Sequence, residues 1–405
     1  MDNFEKYIRN SVPTKQDIDN FLNKNALTPW QFDSEVGYIL GNAPQNDGVD
    51  NSISLQSVQD NGTRTSVVYA DKPGRINTYG NSFTQCAQVS DNETWQEYLA
   101  AHFGEPVRNF GVGGHGVYQA YRRMLQNEST KDNAKYMILY IWGDDHHRSL
   151  LRSRFFATSG WNMRNKRNNN MHGCFWSHLE MDFNQGCLVE EEQMLKTPES
   201  LYQMTDPDLM VEALRDDIAL QMTVCPNKEY NITPDMGKIN QLAEILEIEG
   251  VAGKLNADEQ RKRVQHIFDK YALSATKYTI GKAQDYAAQN NKELMVVLSC
   301  PRVLRELMNS GTRYDQDIVD YLAQKKIRSF DMNQVHIDDF ACFNISFEDY
   351  AKRYWVGHYN PTGNHFFAYS IKNTMVEWLA PKPITYRDID QSRIDFKDYL
   401  GEYHV

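Results

Sequence analysis

The sequence predicts an α/β fold with a central five-stranded parallel sheet. Two continuous apolar runs, Tyr136–Trp142 and Leu294–Ser299, are typical of strands that are buried on both faces. Predicted strands alternate with predicted helices, an order that favours parallel strands joined by helical crossovers. With 405 residues, of which 41% are hydrophobic, the chain is long enough to bury a large core.

The first part of the chain is predicted to carry three of the five strands. Residues 1–70 are irregular except for one predicted helix, Lys15–Asn23, and we expect them to form an extension that packs on the core. The sheet domain is expected to span residues 71–405. Its first three strands are predicted at 75–80, 107–110 and Tyr136–Trp142. The helices between them are predicted at Thr94–Gly104 and 117–128.

The alternation is interrupted after the third strand. Residues 147–260 do not follow it, and we interpret them as a long insertion, lid-like at its start and helical toward its end. The remaining elements are predicted at Glu259–Asn290, Leu294–Ser299, a helical stretch that ends at Lys325, Ile327–Asn333 and a last helix over 364–379.

The composition excludes several classes of protein. Acidic residues outnumber basic ones 54 to 43, for a formal charge of −11, which argues against a general binder of nucleic acid or anionic membranes. No run approaches the roughly 20 apolar residues of a membrane span. We expect a cytoplasmic protein, or a secreted one whose leader has been removed. The six cysteines are scattered without a CxxC pair, which predicts free thiols rather than a zinc finger or a disulfide framework.

Three polar loops, GNSFTQ, GVGGHG and GDDHHR, follow the first three predicted strands, at the edge where parallel sheets bind ligands. GNSFTQ contains Ser82, whose hydroxyl would face that edge, although serine at such a position also favours a helix N-cap. GVGGHG allows close backbone approach to a ligand, but no acidic residue follows it in a strand as the dinucleotide fingerprint requires. His358 precedes the last helix and could act as a general base, or be a loop residue without a task.

In this order, the motifs resemble the SGNH (GDSL-type) hydrolase family from about residue 75 to 378. YGNSFTQ is similar to the first block, with Ser82 at the nucleophile position, and NFGVGGHGVYQA is similar to the second, with Gly114 at the oxyanion hole. YIWGDDHHR lies at the third block. GHYNPTGNHFFA resembles the fifth, with His358 at the catalytic base. The resemblance implies a flavodoxin-like three-layer sandwich.

The resemblance also implies acyl transfer. His358 would take the proton of Ser82, and the alkoxide would attack an ester carbonyl to form an acyl-enzyme. Backbone N–H groups of Ser82 and Gly114 would hold the oxyanion. No metal or cofactor is expected.

The chain departs from the family pattern around the oxyanion hole. The third-block donor position falls on Asp145, or on Asp144 if the alignment shifts by one, and an ionised carboxylate cannot donate a hydrogen bond. Asn81 stands where the family usually has aspartate. We therefore hypothesise that Asn81 and Asp145 form the family's hydrogen-bonded pair with donor and acceptor exchanged. His146 or His147 would then be candidates for the third oxyanion donor, or solvated loop residues.

The acidic residue of the family's catalytic triad also has no counterpart at its usual position. The family usually places aspartate three positions before the histidine, where this chain has Trp355. Asp349, Glu348 or Asp331 could supply the acceptor, as could a backbone carbonyl. A Ser–His dyad and a protein without catalysis are further alternatives.

Residues 146–178 contain six arginines and lysines, several aromatic residues and no aspartate or glutamate. A basic, aromatic segment beside the site would suit a carbohydrate with an anionic group, and we predict substrate contacts from Arg148, Arg152 and Trp161. The alternative is a solvated surface segment. A metal site from Asp145, His146 and His147 lacks a characteristic ligand spacing.

The predicted function is a serine esterase that removes acyl groups, acetyl being the first candidate, from a carbohydrate or another small polar ester. An O-acyltransferase on the same fold would use the same acyl-enzyme. A non-catalytic carbohydrate-binding protein is the alternative from another class. The sequence leaves the oligomeric state open.

Overall fold

The computed structural model describes residues 2–23, 27–45, 47–143, 145–158, 173–227, 229–252 and 255–387. Its strands are β1 (Trp30–Asp33), β2 (Gly37–Leu40), β3 (Ile76–Tyr79), β4 (Val107–Asn109), β5 (Tyr136–Trp142), β6 (His178–Asp182), β7 (Cys187–Glu191), β8 (Glu293–Ser299) and β9 (Arg328–Asp331).

The helices are distributed along the whole described chain. They are α1 (Asn3–Ser11), α2 (Lys15–Leu22), α3 (Ser82–Gln85), α4 (Trp95–Phe103), α5 (Val117–Glu128), α6 (Asp145–Arg148), α7 (Pro207–Leu214), α8 (Ile218–Val224), α9 (Met236–Ile245), α10 (Ala257–Gln289), α11 (Pro301–Ser310), α12 (Gln316–Gln324), α13 (Met332–Phe340), α14 (Phe347–Tyr354) and α15 (Pro361–Trp378). Short 3₁₀ segments lie at Val49–Asn51, Asp91–Glu93, Glu199–Thr205 and Ile384–Tyr386.

The central sheet has five strands in the order β4-β3-β5-β8-β9, and every neighbouring pair is parallel. The predicted α/β class with a five-stranded parallel sheet is therefore confirmed, and the order is compatible with a flavodoxin-like sandwich. The chain leaves β3 outward to β4 and then crosses back to β5. The carboxyl ends of β3 and β5 thus flank the point where the direction of winding reverses, the usual ligand position in such sheets.

A hydrophobic core lies on each face of the sheet. Alternate residues of β5 belong to different cores: Met137, Leu139 and Ile141 pack with α5 and α10, whereas Tyr136, Ile138 and Tyr140 pack with α4 and α15. All six are nearly inaccessible to solvent. Burial on both faces explains why β5 is a continuous apolar run without an alternating polar residue.

The segment between β5 and β8 contributes to the larger of the two cores. It contains the antiparallel pair β6–β7 and helices α7, α8 and α9. Met181, Leu214, Leu220 and Leu242 are buried in the same cluster as Leu139 of the sheet. These residues therefore pack on the sheet domain through apolar side chains.

Two predicted boundaries were wrong because capping residues override the apolar pattern. The predicted strand through Asn333 ends at Asp331, whose side chain accepts a hydrogen bond from Asn333 N and so starts α13. The last helix begins three residues earlier than predicted, at Pro361. Asn360 caps it by accepting from Gly363 N, and proline at the first helical position lacks an N–H that would need a partner.

Across the residues described, the helices fall short of the combined length and apolarity needed to cross a membrane.

Candidate active site

Ser82 and His358 are in direct contact, although 276 positions separate them in the chain. Ser82 begins α3 at the carboxyl end of β3, and its Oγ lies 2.7 Å from His358 Nε2. The N-cap of α3 is Asn81, whose Oδ1 accepts from Phe83 N at 2.8 Å. The alternative role of Ser82 as the cap is therefore wrong, and its hydroxyl faces the imidazole instead.

His358 is held in a tight turn between α14 and α15. Val356 N donates to the carbonyl of His358 at 2.8 Å, and Trp355 and Tyr359 pair across the turn. The imidazole packs against the ring of Phe83, with centroids 4.9 Å apart. The position of the ring thus depends on both the turn and helix α3, which carries Phe83.

Gln88 supplies the acceptor on the far side of the imidazole. Its Oε1 lies 2.8 Å from His358 Nδ1 and also accepts from His358 backbone N at 2.8 Å. Its Nε2 donates to the carbonyl of Asp47 at 2.7 Å, which fixes the orientation of the amide. Because an amide oxygen only accepts, Nδ1 must carry the proton. Nε2 is then the free acceptor for the Ser82 hydroxyl.

The acidic residues predicted for this position contact other groups. Asp349 accepts from Lys352 Nζ at 2.8 Å and from Ser346, at an exposed helix start. Asp331 pairs with Arg313 and caps α13, and Glu348 is exposed on α14. The prediction that Asp349 or another carboxylate supports His358 is corrected to Gln88.

Gln88 was missed because its position depends on backbone geometry. It has a left-handed φ of 73°, and Cys86 before it has a φ of 59°. A methyl group on Gly357, which has a φ of 120°, would come within 2.7 Å of Gln88 Oε1. In the sequence, the glycine before His358 indicates that another group approaches closely. It does not indicate that this group is Gln88.

Burial, and after it the positive charge of Arg148, lower the pKa of His358 to about 4. The imidazole is therefore neutral over the whole range from mildly acidic to basic pH, which is the form that accepts a proton from serine. The neutral Gln88 amide orients the ring without adding the negative charge that would raise its pKa.

The hypothesised hydrogen bond between Asn81 and Asp145 is present in the structure. Asn81 Nδ2 donates to Asp145 Oδ1 at 2.8 Å. The same oxygen accepts from Arg148 Nη1 at 3.0 Å, and Oδ2 accepts from Trp142 N at 2.9 Å. Asp145 is only 1% exposed and acts as an acceptor in all three contacts. Its predicted place as an oxyanion-hole residue is therefore not supported, since the carboxylate has no proton to donate. Asp144 lies outside the described residues.

The glycine loop after β4 is held in a defined orientation. Gly113 N donates to Gln85 Oε1 at 2.9 Å, and the Tyr38 hydroxyl donates to the carbonyl of Gly113 at 2.9 Å. In a trans peptide the N–H of Gly114 points away from that carbonyl, hence away from Tyr38. Gly114 has a φ of 85° and leaves no room for a Cβ, which would lie 2.6 Å from Tyr38 Oη.

The two histidines after β5 contact the long helix α10. His146 Nδ1 lies 2.8 Å from Thr276 Oγ1, and His147 Nε2 lies 2.8 Å from Asp269 Oδ1. Their candidate role as third oxyanion donors is not supported, because these contacts direct the rings toward α10.

The predicted substrate-binding residues separate into different environments. Arg152 pairs with Glu180, with Nη2 to Oε2 at 3.1 Å, and with Asp216 at 2.7 Å. These carboxylates of neighbouring segments bind the Arg152 guanidinium, so the structure gives its predicted substrate contact no support. Arg148 lies at the site through its bond to Asp145. Trp161 lies outside the described residues.

Residues before 70 complete the site, a role that sequence reasoning did not assign to them. The Arg64 side chain is 2% exposed and donates to the carbonyls of Gln85 and Cys86 at 2.8 Å, and to that of Val89 at 2.6 Å. Together with the Asp47 carbonyl on Gln88, these bonds hold the loop that carries the histidine's acceptor.

Within the described part of the chain, no group of three or more His, Cys, Asp or Glu side chains could hold a metal ion. Neither a protein-family model nor a curated protein sequence matches this chain. The chemistry of this chain is therefore inferred from the contacts that Ser82 makes in the structure.

Proposed function

We propose that this chain is a serine esterase of the SGNH (GDSL-type) family, which removes acyl groups from a carbohydrate or another small polar ester. The observation that carries the proposal is the 2.7 Å contact between Ser82 Oγ and His358 Nε2, with Gln88 bound to Nδ1. The sheet order supports a flavodoxin-like sandwich with residues 147–260 as an insertion.

Each proton in the reaction has a donor and an acceptor. The Ser82 hydroxyl gives its proton to His358 Nε2 as its oxygen attacks the ester carbonyl. The imidazolium then protonates the leaving alkoxide, and an acyl-Ser82 ester remains. A water molecule attacks this ester and gives a proton to Nε2, and Ser82 takes the proton back as the acid is released.

The negative charge that develops on the carbonyl oxygen would be held by backbone N–H groups of Ser82 and Gly114. The orientation of the Gly113–Gly114 peptide by Tyr38 supports this role, because a fixed donor needs no reorganisation during the reaction. Each such donor contributes roughly a hundred- to thousandfold to the rate.

The test is covalent labelling with a fluorophosphonate probe, followed by mass spectrometry of the labelled peptide. We expect one label per chain, on Ser82, and none in the Ser82→Ala variant. Ser310→Ala, which removes an exposed hydroxyl at the end of α11, is the matched control and should label like the wild type. Labelling that persists in Ser82→Ala, together with no turnover of small acetyl esters, would exclude the esterase.

Transfer of the acyl group to an added sugar in preference to water would instead assign an O-acyltransferase that uses the same acyl-enzyme.

The pH dependence of turnover provides a second test. Because only neutral His358 accepts the serine proton, kcat/KM should rise with pH through about pH 4 and then stay level to pH 8. The measurement is a pH–rate profile with a small acetyl ester, with circular dichroism to verify that the protein stays folded at low pH. An ascending limb centred near the ordinary histidine pKa of about 6.5 would contradict the buried, neutral imidazole.

A further inference from the structure

The guanidinium group of Arg154 lies against the glycine loop. A methyl group on Gly114 would come within 2.6 Å of Arg154 Nε and 2.7 Å of its Cζ. A methyl group on Gly173 would lie 2.8 Å from Arg154 Cβ. The side chain therefore passes beside two glycines whose missing side chains make room for it, and its guanidinium group lies beside Gly114.

Arg148 approaches the nucleophile from the end of β5. Its Nη1 donates to Asp145 Oδ1 at 3.0 Å, and the same oxygen accepts from the amide of Asn81, the residue before Ser82. The side chain is 17% exposed. A second guanidinium group thus lies close to Ser82, partly accessible to solvent.

The two arginines place positive charge near the histidines beside Gly114 and Ser82. The pKa of buried His115, next to Gly114, is lowered to about 3 by burial first and also by the charges of Arg123, Arg154 and Arg148. Arg148 lowers the pKa of His358 in the same direction. This local field opposes the formal charge of −11 that the whole chain carries.

We propose that Arg148 and Arg154 form a subsite for a negatively charged group of the substrate, so that the preferred ester belongs to an acidic saccharide. The inference rests on the proposed function of Ser82 and names its substrate class. A guanidinium group binds carboxylate or sulfate through a planar pair of N–H donors, and partial burial strengthens the contact relative to an exposed one. Without such a subsite, the acidic chain would repel an anionic substrate.

Ligand binding to the Ser82→Ala variant tests the subsite without turnover. Three ligands differ at one carbon: an acetylated methyl glucoside, the corresponding glucuronoside and the corresponding 6-sulfate. By isothermal titration at low salt, we expect at least one anionic ligand to bind about tenfold more tightly than the neutral glucoside. The preferred anion then distinguishes carboxylate from sulfate. The preference should shrink as salt is raised, because screening weakens ion pairing.

Arg154 is then replaced in the same background. Arg154→Gln should remove most of the preference, and Arg154→Lys, which keeps the charge but not the planar donor pair, should keep part of it. Arg261→Gln, an exposed arginine at the start of α10, is the matched control and should keep all of it. Circular dichroism verifies that each variant is folded.

Equal binding of neutral and anionic ligands, or a preference that survives in Arg154→Gln, would overturn the subsite. Neither result depends on serine labelling. Failure of the anion subsite and failure of the esterase are therefore distinguishable.

Discussion

Replacing Gln88 by alanine is expected to lower kcat for ester hydrolysis by on the order of a thousandfold, with a much smaller change in KM. Without Oε1, His358 loses the acceptor that keeps the proton on Nδ1 and the hydrogen bond to its backbone N–H. The imidazole can then present an N–H instead of a lone pair to Ser82. Steady-state kinetics with a small acetyl ester measure the loss. Gln334→Ala, at an exposed site on α13, is the matched control.

A carboxylate at the same position separates orientation from charge. Gln88→Glu keeps an oxygen for Nδ1 but places a negative charge beside the ring, which favours the imidazolium. The ascending limb of the pH–rate profile should therefore move upward by about one unit or more. Glutamate also loses the donor to the Asp47 carbonyl, so part of the positioning is lost. A kcat within threefold of the wild type in Gln88→Ala would show that Gln88 does not position His358.

Replacing Asp145 by alanine is expected to lower the free energy of unfolding by about 3–5 kcal/mol. The change leaves the Asn81 amide, the Arg148 guanidinium and the Trp142 N–H without the carboxylate that now accepts from all three. Because Asp145 is only 1% exposed, water cannot readily take its place. Urea denaturation followed by circular dichroism measures the loss.

Two further substitutions test whether the loss of stability in Asp145→Ala comes from these buried hydrogen bonds. Asp145→Asn keeps the shape and one accepting oxygen, but turns an amide N–H toward a donor, so we expect an intermediate loss. Asp258→Ala, at the exposed start of α10, should change the stability little. A loss in Asp145→Ala as small as in Asp258→Ala would mean that the three donors find other partners.

The sheet was predictable because the pattern that specifies it is local. β5 and β8 are apolar at consecutive positions, since both faces of each strand meet a core, and their predicted bounds agree with the structure to within one residue. Helix α5 follows its predicted range in the same way. Where the bounds differ, as at Asp331 and Asn360, a polar cap decided the end of an element against its apolar pattern.

Part of the site was predictable because short motifs carry its backbone geometry. A serine directly after β3, a glycine loop after β4 and a histidine before the last helix meet at one edge of a parallel sheet whatever the other residues are. The reciprocal identities of Asn81 and Asp145 also indicated a pair, since one can donate where the other accepts.

The amino-acid sequence by itself thus determined the α/β sheet and the Ser82–His358 pair of this protein. The tertiary structure alone decided which polar groups complete that pair. Gln88 reaches His358 because a left-handed turn, the Arg64 side chain and the Asp47 carbonyl hold its loop in place. The contacts of arginines in one segment also differ. Arg152 forms ion pairs with carboxylates, whereas Arg154 lies beside the glycine loop. Apolar periodicity is read from neighbours in the chain, whereas the partner of a polar side chain is set by residues that are distant in sequence and adjacent only after folding.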